Sequence, residues 1–251
     1  MLLVSDIHGA AEALQKVAAR DEPLLVLGDF VNLIDYRTGE GIVADVVGVD
    51  LVKRVSVLRF QRRRSEANDL WHAATAGRMD EINAAIGDLM AQEYREVCGA
   101  IEGADAYVTY GNVDRPDMLK EHLPSSARYL DGEACNIEGV SVGFAGGGIP
   151  RIGTAGEVDP VDMASKLDRL GPVDILCTHV PPDIAPLASD VVGRNRKASK
   201  EILEYLREHR PAFHFFGDIH QPQATTWQVG ATTCINVGYF RATGIAYRHV
   251  T

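Results

Sequence analysis

The sequence predicts an α/β fold, and three observations support this prediction. An apolar run at residues 1–5, an Ala-rich helical stretch at 10–19 and a second apolar run at 24–27 form the pattern of a βαβ unit. Helical periodicity dominates residues 69–101, and strand-like apolar runs dominate the second half. The 251 residues contain no Gly/Ser-rich or Pro-rich linker and no internal repeat, so we expect a single domain over 1–251.

Two segments interrupt the strand pattern in the first half. Residues 33–61 form an insertion with several glycines and a β-branched run, VADVVGVDLVKRVSVLRF. An extended arm, a β-hairpin and a cover over a site are all consistent with it. Its apolar content predicts that it packs, either on its own core or on another subunit, so the chain is a possible homo-oligomer. Residues 62–102 form a helical segment, in which Gly77 separates two helices and the arginines at 62–64 lie at a solvated helix start.

The later elements alternate between strands and helices. We expect a strand at 106–110, a hairpin at 128–144 that turns at 136–139, a strand at 173–178, a helix at 198–209, a strand at 212–216 and two or three antiparallel strands at 224–250. The glycine triplet at 146–148 lacks the Lys-Ser/Thr of a P-loop. It therefore favours a tight turn at the end of a strand over a phosphate-binding loop.

The composition excludes several classes of protein. Hydrophobic residues make up 46% and charged residues 24%, which is the balance of a globular chain. The net charge of −10 argues against a nucleic-acid duplex as partner, because duplex binding usually rests on clustered Lys and Arg. A small anionic substrate stays compatible, since bound cations reverse the local field. No apolar run reaches membrane-spanning length, so we expect no membrane partner.

The cysteines and the N-terminus indicate a cytoplasmic setting. Cys98, Cys135, Cys177 and Cys234 are far apart and form no CxxC pair. A disulfide framework or zinc ribbon is therefore disfavoured, and we expect four buried, reduced thiols. The first strand begins almost at Met1, so we also expect no cleaved leader.

Five short segments with metal-binding side chains each follow an apolar run. They are Asp6-Ile7-His8, Gly28-Asp29-Phe30-Val31-Asn32, Gly111-Asn112-Val113-Asp114, Thr178-His179 and Gly217-Asp218-Ile219-His220. Because strand ends on one edge of a sheet converge, we expect these side chains to lie together. Asp, His and Asn at such a place are what a dinuclear metal centre needs. The sequence therefore predicts metal-assisted attack on phosphorus.

In order and placement, the five segments resemble the calcineurin-like metallophosphoesterase family. That family has D-x-H, then G-D with a trailing Asp or Asn, then G-N-H-D/E, a lone His and finally G-H-x-H. The resemblance covers nearly the whole chain and implies a four-layer α/β/β/α sandwich with two mixed sheets.

The same resemblance implies the roles of the site residues. One metal would be held by Asp6, His8, Asp29 and His220, and the other by Asp29, Asn112, His179 and Asp218. Asp29 would bridge the two ions. The catalytic residues would be Asp29, Asn112 and His179, and a water between the ions would become the nucleophile near neutral pH.

One departure from the family pattern removes a histidine. Val113 stands where G-N-H has the His that is thought to protonate the leaving group or bind the phosphate. Valine does neither, and loss of a general acid typically costs about 10²–10⁴-fold in rate. The candidate replacements are His72, Arg115, Arg194, Arg196 and Arg241, among which the sequence does not choose. Asn112 and Arg241 are our candidates for substrate binding.

A second departure exchanges a metal ligand. Asp218 stands where G-H-x-H has its first His. A carboxylate makes the site harder and shifts its preference away from zinc, so we expect two divalent ions, foremost Mn²⁺, with Mg²⁺, Fe or Zn²⁺ as alternatives.

The remaining polar candidates have plainer interpretations. Asn32 either contacts the site or caps a turn. Without its histidine partner, Asp114 is expected to be a plain surface residue more than a partner of Arg115 or Arg151. Surface or core packing is expected for the histidines outside the motifs, which are His72, His122, His209, His214 and His249.

The predicted function is dinuclear metal-dependent hydrolysis of a small phosphate ester, with a preference for a phosphodiester or nucleotide-like substrate. The alternative is a degenerate family member that serves as a metal-binding scaffold or sensor. The lost histidine and the altered G-H-x-H favour this alternative, whereas the retention of seven ligand-type residues opposes it. A DNA nuclease is disfavoured by the net charge.

Overall fold

The computed structural model describes residues 1–35 and 38–250. Its strands are β1 (Leu2–Val4), β2 (Leu24–Leu27), β3 (Ala106–Thr109), β4 (Ala127–Tyr129), β5 (Glu133–Ile137), β6 (Val140–Ala145), β7 (Ile175–Thr178), β8 (Ser189–Asp190), β9 (Asn195–Arg196), β10 (Phe213–Phe216), β11 (Thr226–Val229), β12 (Thr232–Asn236) and β13 (Tyr247–Arg248). Its helices are α1 (Ala11–Ala18), α2 (Ile42–Val47), α3 (Val49–Phe60), α4 (Arg64–Thr75), α5 (Met79–Gly99), α6 (Pro116–His122), α7 (Pro160–Leu170), α8 (Ala185–Ala188), α9 (Lys200–His209) and α10 (Phe240–Thr243).

Two mixed sheets contain most of these strands. The described residues form a five-stranded sheet of order β13-β1-β2-β3-β4 and a six-stranded sheet of order β11-β12-β10-β7-β6-β5. Strands β1 to β4 run parallel in the first sheet, and β6, β7, β10 and β12 run parallel in the second. The antiparallel strands β5, β11 and β13 lie at sheet edges. The carboxyl ends of the central strands are therefore available to one shared site.

Three apolar clusters separate the layers. Successive side chains of a strand point to opposite faces, so Leu3 of β1 faces the second sheet and packs with Phe144 and Phe215. Leu2 and Val4 face the other way, toward a cluster that includes residues of α1 and α5. The outer face of the second sheet packs against α7 and α9. This order of helix, sheet, sheet and helix confirms the predicted four-layer sandwich.

Most of the described part of the insertion at 33–61 forms the helices α2 and α3, which corrects the expectation of an extended arm or a hairpin. Residues 36 and 37 of it lie outside the described part of the chain. Val52 and Val55 of α3 are buried, and α2 contributes the buried Ile42. Packing of this face outweighs the modest helix propensity of β-branched residues. The insertion thus packs on the core of its own chain, in contact with α5.

The helical segment that follows has the predicted division. Helices α4 and α5 are separated by Gly77, whose φ of 72° lies in the left-handed region. Arg63 precedes α4 and forms an exposed ion pair with Glu66, as expected for a solvated helix start. Within the described residues, no helix is long and apolar enough to cross a membrane.

The structure differs from the predicted elements in two further regions. Strand β4 belongs to the first sheet, so the hairpin begins only at β5 and turns at 138–139. Strand β13 of the tail likewise joins the first sheet, next to β1. The short helices α8 and α10 and the hairpin of β8 and β9 are additional to the predicted elements, and so are the longer helices α6 and α7. Both α6 and α7 begin with a proline, and Asp159 caps α7 by accepting hydrogen bonds from the amides of Val161 and Asp162.

The cysteines and spare histidines follow the expectation with one exception. All four cysteines are free, and Cys98, Cys177 and Cys234 are buried. Cys135 is only half-buried, because it lies on the edge strand β5. His214 lies in the core, where its Nε2 is 2.9 Å from Thr178 Oγ1 and its Nδ1 has no partner among the described residues.

We expect His214 to weaken the fold in acid. Burial lowers the pKa of His214 to about 3. The unfolded chain takes up this proton near pH 6.5 while the folded chain does not, so the free energy of unfolding falls as the pH drops below 6.5. The free energy of unfolding is measured in urea for the metal-free proteins. Between pH 7 and pH 5 it should fall by about 2 kcal/mol less in His214→Gln than in wild type. In the control His72→Gln, which changes an exposed histidine, the free energy of unfolding should fall by as much as in wild type. A fall of the same size in His214→Gln would contradict this account.

An exposed apolar part of α3 is a candidate surface for self-association. Val57 and Phe60 near the end of this helix are mostly solvent-exposed, although the other face of α3 packs on the chain itself. Apolar side chains at this place are compatible with a contact between copies. We expect light scattering to show a dimer that Phe60→Ser weakens. A monomer at high protein concentration would remove the prediction.

Candidate metal centre

All five motif segments lie at the carboxyl ends of parallel strands. The two sheets contribute the strands β1, β2 and β3 on one side and β7 and β10 on the other. The polar side chains that follow these strands meet at one edge of the sandwich. The hydrogen bond between His179 Nδ1 and the carbonyl of Leu27, at 2.8 Å, joins the two sheets at this edge.

Left-handed backbone turns the loops toward one point. Four of the eight non-glycine residues with positive φ in the described chain belong to the motifs, namely Asp6, His8, Asp29 and Asp218. Such conformations cost about 1–3 kcal/mol each and persist where the surroundings enforce them. The close approach of Gly28 to Gly111 is one such constraint, because a Cβ on Gly28 would lie 2.3 Å from the amide nitrogen of Gly111.

Asp6, His8 and His220 form the first ligand group. His220 Nε2 lies 3.2 Å from Asp6 Oδ1, and His8 Nε2 lies 3.9 Å from the same oxygen and 3.6 Å from Asp29 Oδ2. The Nδ1 of His8 is 3.1 Å from the carbonyl of Val31, which directs Nε2 toward the carboxylates.

Asp6, Asp29 and His179 form the second ligand group. His179 Nε2 lies 3.4 Å from Asp29 Oδ2, 3.3 Å from Asn112 Oδ1 and 3.7 Å from Asp218 Oδ1. The other oxygen of Asp29 accepts a hydrogen bond from the amide of Val113 at 3.0 Å. The Oδ2 atom of Asp29 therefore faces both His8 and His179, where a bridging ligand is needed.

The buried charges of the site determine one another. Burial raises the pKa of Asp29, but the charge and hydrogen bond of His179 outweigh burial and hold this pKa below its ordinary value. Burial lowers the pKa of His179, yet Asp29 and Asp218 raise it to about 10. The charges of Asp29 and Asp218 thus favour the protonated imidazole, and a cation bound at Nε2 would displace its proton.

The residues present fit divalent cations. His8 Nε2 and Asp218 Oδ2 are buried polar atoms without a hydrogen-bond partner among the described residues. Such atoms are costly unless they receive a partner, and His8 Nε2 faces Asp6 and Asp29, where the two ligand groups meet. Carboxylate oxygens, imidazole nitrogens and an amide oxygen are a donor set that divalent transition metals accept.

Asp114 is fully buried, which corrects the expectation of a surface residue. Its oxygens accept hydrogen bonds from the amides of Asp29, Phe30 and Gly111 at 2.8–3.0 Å and from the hydroxyl of Tyr94 at 3.1 Å. Burial, together with the charge of Asp29, raises the pKa of Asp114 to about 7. Asp114 therefore ties the loop after β2 to the loop after β3.

Lys197 lies at the site, although no pattern in the sequence indicates it. Its ammonium contacts Asp218 Oδ1. Lys197 belongs to a basic surface stretch at 194–197, and nothing in that pattern distinguishes it from Arg194 or Arg196. Only its neighbour in space identifies it.

Arg241 contacts the backbone of a motif residue, and Asn32 contacts Arg241. Arg241 donates a hydrogen bond to the carbonyl of His8. Turned with its oxygen toward the guanidinium, the Asn32 amide accepts from Arg241 Nη1 at 3.2 Å. These contacts support the loop that carries His8, which agrees with the first of the two interpretations of Asn32. The role of Arg241 in substrate binding stays a prediction.

The other proposed proton donors have partners or places elsewhere. His72 is exposed on α4. Arg115 approaches the sulfur of Met118, Arg194 lies over the ring of Phe60, and Arg196 pairs with Asp183. Of the predicted replacements, Arg241 is therefore the one that touches a motif residue among the contacts of the described chain.

Comparisons with known proteins show the family of this chain and structures of similar fold. The sequence model of calcineurin-like phosphoesterases matches residues 1–222, so the chain belongs to this family. A search of curated proteins finds no match. One solved structure aligns with a TM-score of 0.62 at 14% identity, covering 95% of this chain and 90% of the other. The protein TT1561 of Thermus thermophilus aligns with a TM-score of 0.53 at 13% identity, covering 96% of this chain and 89% of that one. These two likenesses concern the fold alone.

We expect Asp114 to be required for the geometry of the two loops. Asp114→Ala leaves three backbone amides without their acceptor and should lower the free energy of unfolding by at least about 3 kcal/mol. The exposed Asp117→Ala on α6 should stay within about 0.5 kcal/mol of wild type. Urea unfolding measures both. A loss below about 1 kcal/mol in Asp114→Ala would show that the loops hold without it.

Proposed function

We propose that this chain is a dinuclear metal-dependent phosphoesterase that hydrolyses a small phosphate ester. Membership of the calcineurin-like family implies metal-dependent phosphoester hydrolysis. The observation that carries the proposal is the convergence of seven ligand-type side chains on one buried point. They are Asp6, His8, Asp29, Asn112, His179, Asp218 and His220.

The ligands divide between two ions in the proposal. Asp6, His8, Asp29 and His220 would hold the first ion. Asp29, Asn112, His179 and Asp218 would hold the second. The position of Asp29 Oδ2 between His8 and His179 supports a bridging role for this carboxylate. Asp218 has one oxygen without a partner in the described chain, which leaves that oxygen free for a cation.

Each side chain has a task that its surroundings support. When bound, two divalent ions would polarise the phosphoryl oxygens and supply a water that ionises near neutral pH. The carbonyls of Val31 and Leu27 orient the imidazoles of His8 and His179, so little reorganisation is needed when substrate arrives. Asn112 is half-buried, whereas His179 is fully buried, so in the proposal its amide would be accessible to a phosphoryl oxygen.

The preference for a diester or nucleotide-like substrate has two supports. Val113 is a buried apolar residue and offers no proton to a leaving group, so esters with good leaving groups fit best. The ring of Phe60 at the end of α3 lies under the guanidinium of Arg194 in the β8–β9 hairpin. The insertion and the hairpin thus meet, and in the proposal this aromatic and cationic contact would bind a part of the substrate remote from the phosphoryl group.

A metal-binding scaffold or sensor is the second candidate. The contact between Lys197 and Asp218 favours it, because an ammonium on a ligand opposes cation binding there. Retention of the complete ligand set opposes it, since a scaffold has no evident need for all seven residues. A cytoplasmic setting remains part of the proposal, and the four free cysteines are consistent with it.

Activity of the metal-stripped protein tests the proposal. Added Mn²⁺ should restore hydrolysis of p-nitrophenyl esters, whose leaving group needs no proton from Val113. Because both esters release the same p-nitrophenolate, a higher rate for bis-p-nitrophenyl phosphate than for p-nitrophenyl phosphate would reflect the proposed preference for a diester. Asp29→Ala should lose at least about 10³-fold in kcat/KM, since it removes the shared ligand. The exposed Asp88→Ala on α5 is the control. Stoichiometric metal uptake without hydrolysis of either ester would favour the sensor, and absence of metal uptake would leave a scaffold.

Competition between metals belongs to the same experiment. When Mn²⁺ and Zn²⁺ are present at equal concentrations, one of the two metal positions should retain Mn²⁺, because its donor set is rich in carboxylates. Strong zinc selectivity at both positions would contradict the proposed effect of Asp218.

A further inference from the structure

Lys197 is distinguished by its partner. Among the ion pairs of the described residues, it is the lysine or arginine that pairs with a proposed metal ligand, through the contact of its Nζ with Asp218 Oδ1. The same carboxylate oxygen lies 3.7 Å from His179 Nε2. The ammonium therefore lies beside the second ligand group, on the side where Asn112 and His179 meet.

The backbone fixes Lys197 in this place. Its amide donates to the carbonyl of Ala188 at 3.0 Å, next to the pairing of Ser189 with Arg196 in the β8–β9 hairpin. Two residues later, Ser199 donates to the carbonyl of Pro181 and caps α9. The lysine thus stands at the root of a hairpin, and the segment that carries it is tied back to the chain just after His179.

The contact opposes cation binding at Asp218 by repulsion, but it occupies only one of the two carboxylate oxygens. Lys197 uses Oδ1, whereas Oδ2 has no partner in the described chain. A cation on Oδ2 and the ammonium on Oδ1 can share one carboxylate. Lys197 therefore need not leave when metal binds, and its charge stays at the centre.

Lys197 is the more exposed partner of its ion pair. Its side chain is 23% exposed, while those of Asp218 and His179 are 1% or less. A phosphate ester that approaches Asp218 from this side would meet the ammonium, whereas the 34% exposed His220 lies at another accessible part of the centre. A lysine ammonium offers three donors, of which Asp218 Oδ1 accepts one.

We propose that Lys197 is a substrate-binding residue, whose ammonium donates to a non-bridging oxygen of the phosphoryl group on the Asp218 side of the centre. It supplies there the positive charge that Val113 cannot supply. This inference rests on the proposed function and adds one residue to it. Arg194 and Arg196, the other cations of the hairpin, are directed to Phe60 and Asp183.

Binding of inorganic phosphate to the Mn²⁺-loaded protein tests the inference. We expect calorimetry to show about ten- to a hundred-fold weaker phosphate binding by Lys197→Met, the range for loss of a hydrogen bond to a charged group. Lys197→Arg should retain most of the affinity, because the charge remains. Lys200→Met, which removes an exposed lysine of α9, should equal wild type. Bound Mn²⁺ per chain, measured separately, should be the same in all four proteins.

Kinetics separates substrate binding from support of the fold. For Lys197→Met, KM should rise by about the same factor as the phosphate dissociation constant while kcat changes less. Wild-type phosphate affinity in Lys197→Met, with active wild-type enzyme, would overturn the inference and leave the proposed function standing. Loss of bound Mn²⁺ in Lys197→Met would also overturn it, because the lysine would then serve Asp218 alone. If wild type takes up no metal, both proposals fall together.

Discussion

Burial of like charges is the constraint on which the site depends. Asp6, Asp29 and Asp218 are almost inaccessible to solvent and share one small volume. Carboxylates at such a place are unfavourable unless cations or hydrogen bonds compensate them. The surroundings provide this compensation through His220 at Asp6, His179 at Asp29 and Lys197 at Asp218. Divalent cations would complete it.

The scaffold around these charges resists relaxation. Asp6, His8, Asp29 and Asp218 all have left-handed backbone, and the β2 and β3 loops touch at glycines that admit no side chain. Asp114 binds the same two loops together through their amides. A carboxylate that in the family orients a histidine therefore has a second task in this chain. Its burial persists although the histidine is a valine.

The two departures from the family pattern both change the charge or polarity of the site. Val113 removes a polar side chain, and Asp218 adds a negative charge where an imidazole was expected. Lys197 contacts Asp218 and returns a positive charge. The positive charge of Lys197 thereby offsets the negative charge of Asp218, although Lys197 belongs to the β8–β9 hairpin, a different part of the chain. The charge balance of the centre thus depends on residues that no single motif contains.

The sequence by itself determined the α/β class, the central strands and the five ligand segments, because short-range patterns of apolar runs and polar strand ends encode them. The resemblance supplied the four-layer architecture. The helical insertion, the burial of Asp114 and the place of Lys197 were decided only by tertiary structure. In each case the partner is remote in sequence: α5 for the insertion, the β2 loop for Asp114 and the β10 loop for Lys197. Local propensity is weak against such packing, and a single sequence contains no record of which distant residues meet.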